Sequence, residues 1–127
     1  MSKYVLDASA LLTLLNEEPG KERVEAILSQ AAVSTVSVAE TIGKLVDAGM
    51  TEEDSKTSLE LLNLGVVDFD LQMARIAGAL KLTTKALGLS LGDRCCLALG
   101  LARKHTVVTA DRSWSKFKLA INIEVLR

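Results

Sequence analysis

The sequence predicts an α/β fold: an α/β/α sandwich around a short-stranded and mostly parallel central sheet. Short apolar or β-branched runs alternate with segments whose apolar residues recur at helical spacing, which favours parallel strands joined by helical crossovers. The length of 127 residues suits one domain and is too short for two ordinary ones. We therefore expect a single domain over residues 1–127.

The first part of the chain predicts a strand, two helices and a second strand. The apolar run 4–6 ends at Asp7, and apolar residues then recur at helical spacing over 10–15. A Pro-Gly pair breaks this pattern before a second helix over 24–28. Ala32 and Val33 predict the second strand.

Capping patterns predict where the next helices begin. Ser37, with Glu40 three residues later, is typical of a capping box, so we expect a helix that begins at Ser37 and ends at Gly49. Thr51 and Asp54 predict the start of the following helix in a similar way.

The second half of the chain continues the same alternation. Asp70 is a predicted N-cap for one long helix that ends at Gly88, and Ser90 with Asp93 predicts the start of another. The remaining predicted strands share apolar or β-branched composition and cover 66–67, 106–109 and 121–126. The full predicted order is β-α-α-β-α-α-β-α-α-β-α-β.

Composition excludes several function classes. Fifteen Lys and Arg against sixteen Asp and Glu give a net charge of −1, which argues against a protein that holds nucleic acid by bulk positive charge. Aromatic residues make up 3%, which argues against stacking of successive bases on rings. No apolar run reaches the roughly 18 residues of a membrane span, and no secretory signal is recognisable, so we expect a cytoplasmic protein without membrane association.

Cysteine and histidine are too few for several kinds of site. Cys95 and Cys96 are adjacent, which fits buried apolar residues and argues against a zinc site or a structural disulfide. His105 is the single histidine, so mechanisms that use one imidazole as acid and another as base are excluded.

Four acidic residues follow predicted strands. Asp7 comes directly after the first strand, and Asp111 stands just past the strand 106–109. Glu40 and Asp93 lie in the first turns of predicted helices. Because the carboxyl ends of parallel strands meet at one edge of a sheet, we expect the four carboxylates to share one rim. At 4 Å and an effective dielectric of about 20, each like-charged pair costs roughly 4 kcal/mol, and oxygen-only ligands favour Mg²⁺ or Mn²⁺ as the neutralising ion.

Each acid also has an ordinary structural interpretation. The Ser-x-x-Glu pattern ending at Glu40 and the Ser-x-x-Asp pattern ending at Asp93 both fit capping boxes. Asp7 and Asp111 suit helix caps or turns. Their common position at strand ends is what favours a joint site, and helix N-terminal dipoles would favour the ionised forms of Glu40 and Asp93 in either role.

Four short motifs occur in order along essentially the whole chain. They are Val5-Leu6-Asp7-Ala8-Ser9-Ala10, Ser37-Val38-Ala39-Glu40, Ser90-Leu91-Gly92-Asp93 with Cys96-Leu97-Ala98-Leu99, and Val108-Thr109-Ala110-Asp111-Arg112. In this order and at this chain length they resemble the PIN-domain family, in particular the small VapC-type toxins of toxin–antitoxin modules. The resemblance implies a PIN-domain-like sandwich and a metal-dependent endoribonuclease. It also implies a homodimer and a VapB-type antitoxin that covers the active centre.

The resemblance implies roles for individual residues. The implied catalytic and metal-binding residues are Asp7, Glu40, Asp93 and Asp111. Ser9 and Thr109 would orient these carboxylates or bridging waters. Ser113 stands where relatives often have a further acid. The implied products carry 5′-phosphate and 3′-hydroxyl ends.

Two arginines beside the acids are candidates for binding RNA. Arg94 follows Asp93 and Arg112 follows Asp111, so each is placed to contact phosphate, with an ion pair to the acids as the alternative. Few aromatics and no net positive charge favour recognition of a structured RNA by its shape. Transfer RNA fits the resemblance.

Two other functions compete with a nuclease. A phosphoacceptor receiver domain has a similar length and binds Mg²⁺, but it needs an acidic pair where Asp7 stands alone, and Asp68 and Lys116 match its other residues only loosely. A catalytically idle PIN-like interaction module would keep the fold and bind no metal. Labelling by a small phosphodonor would favour the receiver, and failure to bind metal with the acids intact would favour the idle module.

Overall fold

The sheet is built from short strands in the order the sequence predicts. The computed structural model describes residues 3–116 and 118–127, and five strands within them form one sheet. These strands are β1 (Tyr4–Leu6), β2 (Ala31–Ser34), β3 (Gly65–Val67), β4 (Thr106–Thr109) and β5 (Ile123–Val125).

The strand order is β3-β2-β1-β4-β5, and every pairing in the described residues is parallel. The central strand β1 pairs Tyr4 with Ala31 of β2 on one side and with Thr106 of β4 on the other. The α/β prediction is confirmed, and the sheet is wholly rather than mostly parallel. Chain order reverses between β1 and β4, which makes the crevice beyond their carboxyl ends the topological switch point where α/β sheets bind ligands.

The same strand order rules out the receiver interpretation. Receiver domains share the flavodoxin-like order 2-1-3-4-5, in which the third strand lies beside the first. In this sheet β3 is an edge strand separated from β1 by β2, so Asp68, just past β3, lies apart from Asp7.

Helices cover both faces of the sheet. They are α1 (Ala8–Leu15), α2 (Lys21–Ile27), α3 (Thr35–Asp47), α4 (Glu52–Glu60), α5 (Leu71–Ala79), α6 (Lys81–Thr84) and α7 (Leu91–Arg103). Short 3₁₀ helices cover Leu28–Gln30, Lys85–Leu87 and Arg112–Lys116. None of the helices in the described part of the chain is long and apolar enough to cross a membrane.

Helix α3 begins earlier than its sequence pattern predicts. The N-cap is Ser34, whose hydroxyl accepts a hydrogen bond from the Val36 N–H at 3.1 Å. Ser37 lies buried inside the first turn, and Glu40 falls in the second turn. The capping box at Ser37 and Glu40 is therefore a wrong prediction, because the serine at the end of β2 already caps the helix.

The single long helix predicted from Asp70 to Gly88 is divided. Asp70 caps α5 as predicted, accepting a hydrogen bond from the Met73 N–H at 2.9 Å, but α5 stops before Leu80. A short α6 and a 3₁₀ turn then lead to Gly88, which has a φ of 65°. At the break, the Leu80 carbonyl accepts from both the N–H and the hydroxyl of Thr84, at 3.0 and 2.7 Å, and such a second bond from a threonine hydroxyl often bends a helix.

Other boundaries differ less from the predictions. Thr51 caps α4 and Ser90 caps α7 as expected, and Gly49, with a φ of 107°, follows the end of α3. The last strand is shorter than the predicted 121–126. The helix expected between β4 and β5 is a single 3₁₀ segment.

Two apolar layers pack on the two faces of the sheet. Because side chains alternate along a strand, Val5 and Val107 join a cluster that includes residues of α5 and α7, whereas Leu6 and Val108 join one that includes residues of α1 and α2. This alternation across β1 and β4 fixes the three-layer sandwich. Because the apolar side chains of β1 and β4 are buried in these two layers, polar side chains of a site can follow where the strands end.

Helix α7 packs closely against the sheet. Cys95 and Cys96 are free thiols, each 1% exposed, which confirms that they are core residues. Burial raises the pKa of the Cys96 thiol well above its usual value. A Cβ at Gly100 would overlap a methyl group of Val107, so the glycine permits the close approach of α7 to β4.

Candidate active site

One cavity at the carboxyl ends of the strands brings four acids together. Asp7 follows β1 directly and Asp111 lies just past β4, so both stand at the switch point. Helices α3 and α7 supply the other two acids. The acids lining this cavity of about 180 Å³ are Asp7, Glu40, Asp93 and Asp111.

Asp7 is the most rigidly held of the four. Its side chain is only 6% exposed and caps α1, with Oδ1 accepting from the Ala10 N–H at 2.8 Å and from the Ser9 hydroxyl at 2.7 Å. The Thr109 hydroxyl donates to Oδ2 at 2.5 Å. Ser9 also accepts from the Ala110 N–H at 2.8 Å, which ties α1 to the end of β4. Ser9 and Thr109 thus orient the carboxylate directly.

The pKa of Asp7 is raised from 3.8 to about 6. Burial is the main cause, and the negative charge of Asp93 adds to it, whereas the hydrogen bonds from Thr109, Ser9 and Ala10 act in the opposite direction. The fold therefore holds a carboxylate where ionisation is costly. A positive charge in the cavity would offset that cost.

Glu40 approaches the start of α7. Burial raises its pKa, and the charges of Asp93 and Asp7 raise it further. A Cβ on Gly92 would overlap the Glu40 carboxylate, so glycine lets this carboxylate reach the start of α7 without turning aside. The sequence pattern alone did not reveal this contact between Gly92 and Glu40.

Asp93 combines a structural hydrogen bond with a place in the cavity. Its Oδ2 accepts from the Ser90 N–H at 3.1 Å, and its own N–H donates to the Ser90 hydroxyl at 3.1 Å. The predicted capping box is confirmed. Asp93 still lines the cavity, so capping does not remove it from the acidic group.

Asp111 is exposed and is positioned by the residues on either side of it. Its N–H donates to the Thr109 hydroxyl at 3.1 Å, and its Oδ1 accepts from the N–H and hydroxyl of Ser113 at 2.9 and 2.7 Å. Ser113 is uncharged, so it adds no further negative charge to the site. Its two hydrogen bonds orient the Asp111 carboxylate.

The donor set fits a hard divalent cation in its chemistry. All four acids offer carboxylate oxygens, and beyond the larger effect of burial the negative charge of Asp93 raises the pKa of both Asp7 and Glu40. Within residues 3–116 and 118–127, no group of three or more Asp, Glu, His or Cys is already arranged to hold a metal ion. Ion binding would therefore require the carboxylates, several of which are engaged in hydrogen bonds, to move closer together.

The two arginines predicted to bind RNA do not line the cavity. Arg94 donates to the Ala77 carbonyl at 3.1 Å, and Arg112 donates to the Arg127 carbonyl at 3.0 Å. The cavity instead contains Lys44, which sequence analysis missed. The available signal was its spacing of four residues from Glu40 on one helix face.

His105 lies apart from the acidic cavity. It lines a different cavity of about 410 Å³ with Lys104 and Asn122, next to the beginning of β4 rather than its end. No histidine therefore takes part in the acidic site, in agreement with the exclusion of paired imidazoles.

Comparison with a family model identifies residues 4–119 as a PIN domain. A comparison with curated protein sequences gives no match. The family match covers most of the chain and includes all four acids of the cavity.

Solved structures share the fold over the full length. VapBC2 from Rickettsia felis, bound to promoter DNA, is similar with a TM-score of 0.77 at 18% identity, covering 98% of each chain. DNA-bound VapBC from Salmonella typhimurium has a TM-score of 0.77 at 23% identity, covering 100% of each chain. VapBC-5 from Mycobacterium tuberculosis, of the VapBC family of toxin–antitoxin systems, has a TM-score of 0.66 at 23% identity, covering 98% of each chain. With the family model matched from Tyr4 onward, this chain belongs to the PIN domain family.

Proposed function

We propose that this chain is a metal-dependent endoribonuclease, the toxin of a VapBC-type toxin–antitoxin pair. Its substrate is a structured RNA such as transfer RNA, whose phosphodiester bonds it hydrolyses to 5′-phosphate and 3′-hydroxyl ends. The observation that carries the proposal is the convergence of four carboxylates on the switch point of a PIN-domain sheet.

The acidic residues have complementary positions for this reaction. Asp7, Glu40 and Asp93 would hold Mg²⁺ or Mn²⁺, with Asp111 as a further ligand at the rim. A bound divalent ion supplies charge neutralisation at the phosphoryl oxygens and acidifies a water molecule. Phosphoryl hydrolysis needs both.

The protein's own groups supply orientation and proton removal. Asp7 is buried with both carboxylate oxygens hydrogen-bonded, which suits a fixed ligand. Glu40 and Asp111 are exposed to incoming solvent, so one of them is placed to accept the proton of the attacking water at a carboxylate oxygen. Ser9 and Thr109 hold Asp7 during these steps.

The proposed partners are a VapB-type antitoxin and a second copy of the chain in the cytoplasm. The similar structures named above are of VapBC complexes, which supports the antitoxin. Leu61, Leu71 and Leu82 are 80%, 66% and 78% exposed, which leaves apolar surface for protein contacts. A short neighbouring reading frame that encodes a small DNA-binding protein would support the pairing.

The test is cleavage of bulk transfer RNA with Mg²⁺, with Mn²⁺ and in excess EDTA. We expect cleavage with either ion and none in EDTA, and loss of cleavage in Asp93→Asn. Asp68→Asn is the matched control, because Asp68 is an exposed acid just past a strand but outside the cavity. Cleavage that persists in EDTA, or that Asp93→Asn leaves intact, would refute the mechanism.

The idle-module alternative gives a different result. In that case the protein binds no Mn²⁺ although its acids are intact, and RNA survives under every condition. Isothermal titration of the wild type with Mn²⁺ separates the two functions before any RNA is added.

A further inference from the structure

Lys44 brings a positive charge to the acidic cavity. It lies on α3 four residues after Glu40, so the two side chains share one helix face. Of the residues that line the cavity in the described part of the chain, Lys44 is the single basic one. Its charge lowers the pKa of Glu40, which the other influences raise, so the ammonium group acts on the acidic site.

The ammonium group of Lys44 is not held by a protein partner. The ion pairs among residues 3–116 and 118–127 are Lys21–Glu17, Arg23–Glu124 and Arg127–Glu18. Lys44 is exposed and forms no side-chain hydrogen bond within the same residues. A lysine that lies next to several carboxylates without bonding to them is available to an external anion.

The other nearby cations are already engaged. Arg94 donates to the Ala77 carbonyl and Arg112 to the Arg127 carbonyl, and neither lines the cavity. Four carboxylates repel a phosphodiester, so a substrate needs a compensating positive contact where it enters. In the described residues, only Lys44 is placed to provide one at the cavity itself.

We propose that Lys44 binds a non-bridging phosphate oxygen of the RNA strand beside the acidic cavity. This rests on the proposed function, because the anion it binds is the substrate of that site. A lysine suits this role because its ammonium is a compact charge with three donors on a flexible stem, which can follow a phosphate without a fixed bidentate geometry.

Removing the charge of Lys44 has two effects of opposite sign. RNA affinity falls because a phosphate contact is lost. Affinity for a divalent cation rises because a like charge leaves the cavity. A general loss of structure would weaken both, so the pair of measurements separates an electrostatic role from a folding defect.

The RNA measurement uses Lys44→Met and Lys44→Arg in an Asp93→Asn background, in which cleavage is blocked. Fluorescence anisotropy with labelled transfer RNA is followed from 50 to 200 mM KCl. We expect Lys44→Met to weaken binding about tenfold and to reduce the slope of log affinity against log salt by about 0.7–0.9, the value of one phosphate contact. Lys44→Arg should keep the slope of the parent.

The matched control is Lys56→Met. Lys56 is an exposed lysine on α4 that lines a separate, largely apolar cavity with Leu59 and Val66. This substitution also removes one positive charge, so the net charge of the protein changes equally in the two variants. We expect it to leave the salt slope unchanged.

The metal measurement uses the wild type and Lys44→Met without RNA. Isothermal titration with Mn²⁺ should show severalfold tighter binding to Lys44→Met. An unchanged salt slope in Lys44→Met, or an equal loss of RNA affinity in Lys44→Met and Lys56→Met, overturns the assignment of Lys44. In either case, cleavage of RNA by the wild type still supports the proposed function. A wild type that neither binds nor cleaves RNA overturns the proposed function itself.

Discussion

Replacing Asp7 with asparagine should stabilise the metal-free protein while abolishing its activity. The carboxylate is buried, and its pKa is raised from 3.8 to about 6. Asparagine has nearly the same shape and can keep the existing hydrogen bonds: its carbonyl accepts from Ala10 and Ser9, and its amide donates to the Thr109 hydroxyl. The substitution therefore removes a charge without leaving a cavity.

The size and sign of the effect follow from linkage. A carboxyl whose pKa is higher in the folded than in the unfolded state binds its proton more tightly when folded, so stability falls as pH rises through the two values. The rise from 3.8 to about 6 is roughly two units, which corresponds to about 3 kcal/mol. The contribution of Asp7 to wild-type stability should fall by up to this amount between pH 4 and pH 7, and Asp7→Asn should lack this part of the fall while keeping the part that the raised pKa of Glu40 adds.

The assay is urea unfolding in EDTA at pH 4 and pH 7. At pH 7 we expect Asp7→Asn to have the larger free energy of unfolding, and adding Mg²⁺ should stabilise the wild type but not the variant. Asp47→Asn, which changes an exposed acid at the end of α3, is the control and should follow the wild type with pH. The reasoning is refuted if Asp7→Asn shows the wild-type pH dependence and no gain at pH 7.

Three further substitutions test separate parts of the account. Gly92→Ala should push the Glu40 carboxylate aside and lower cleavage at least about tenfold, while the melting temperature stays equal or rises, because alanine suits a helix better than glycine; full activity would contradict it. Gly100→Ala should lower the free energy of unfolding by about 1–2 kcal/mol in urea titrations, since a Cβ would collide with β4; a stabilised protein would show that the packing argument is wrong. Thr109→Val removes a hydrogen bond that lowers the Asp7 pKa, so the acidic limb of the cleavage profile should move to higher pH; a limb that stays in place or moves to lower pH would disprove the role of Thr109.

The placement of the acids could be predicted from sequence because topology determines it. Asp7 directly follows β1 and Asp111 lies just past β4, its neighbour in the sheet, and parallel strands end at a common edge. Only the recurrence of short apolar runs was needed to find those strands. The capping box at Asp93 was predictable for a similar reason, since its hydrogen bonds are local.

Sequence reasoning failed where two local patterns competed. Ser34 and Ser37 both suit an N-cap, and Ser34 caps the helix because the backbone of β2 ends there. The division of the predicted long helix lies beside the bond from the Thr84 hydroxyl to the Leu80 carbonyl, a contact that spacing does not reveal. Where a helix begins or is interrupted thus depends on local hydrogen bonds, which the sequence pattern alone does not show.

Contacts between elements were beyond the reach of sequence. The space that Gly92 leaves for Glu40 exists only once α3 and α7 pack together. Arg94 likewise lies outside the acidic cavity and donates to the Ala77 carbonyl of α5, a contact that exists only in the finished fold. Residue type and spacing predicted which acids meet at the cavity, but not which nearby basic residue lines it.

The proposed function depends on a divalent cation held in the acidic cavity. The most direct test is a crystal soaked in Mn²⁺, with the ion located by anomalous scattering. We expect a peak about 2.1 Å from carboxylate oxygens of Asp7, Glu40 and Asp93, with Glu40 and Asp93 moved toward Asp7. Saturating Mn²⁺ that leaves the cavity without a peak, or that binds only elsewhere on the molecule, would contradict it.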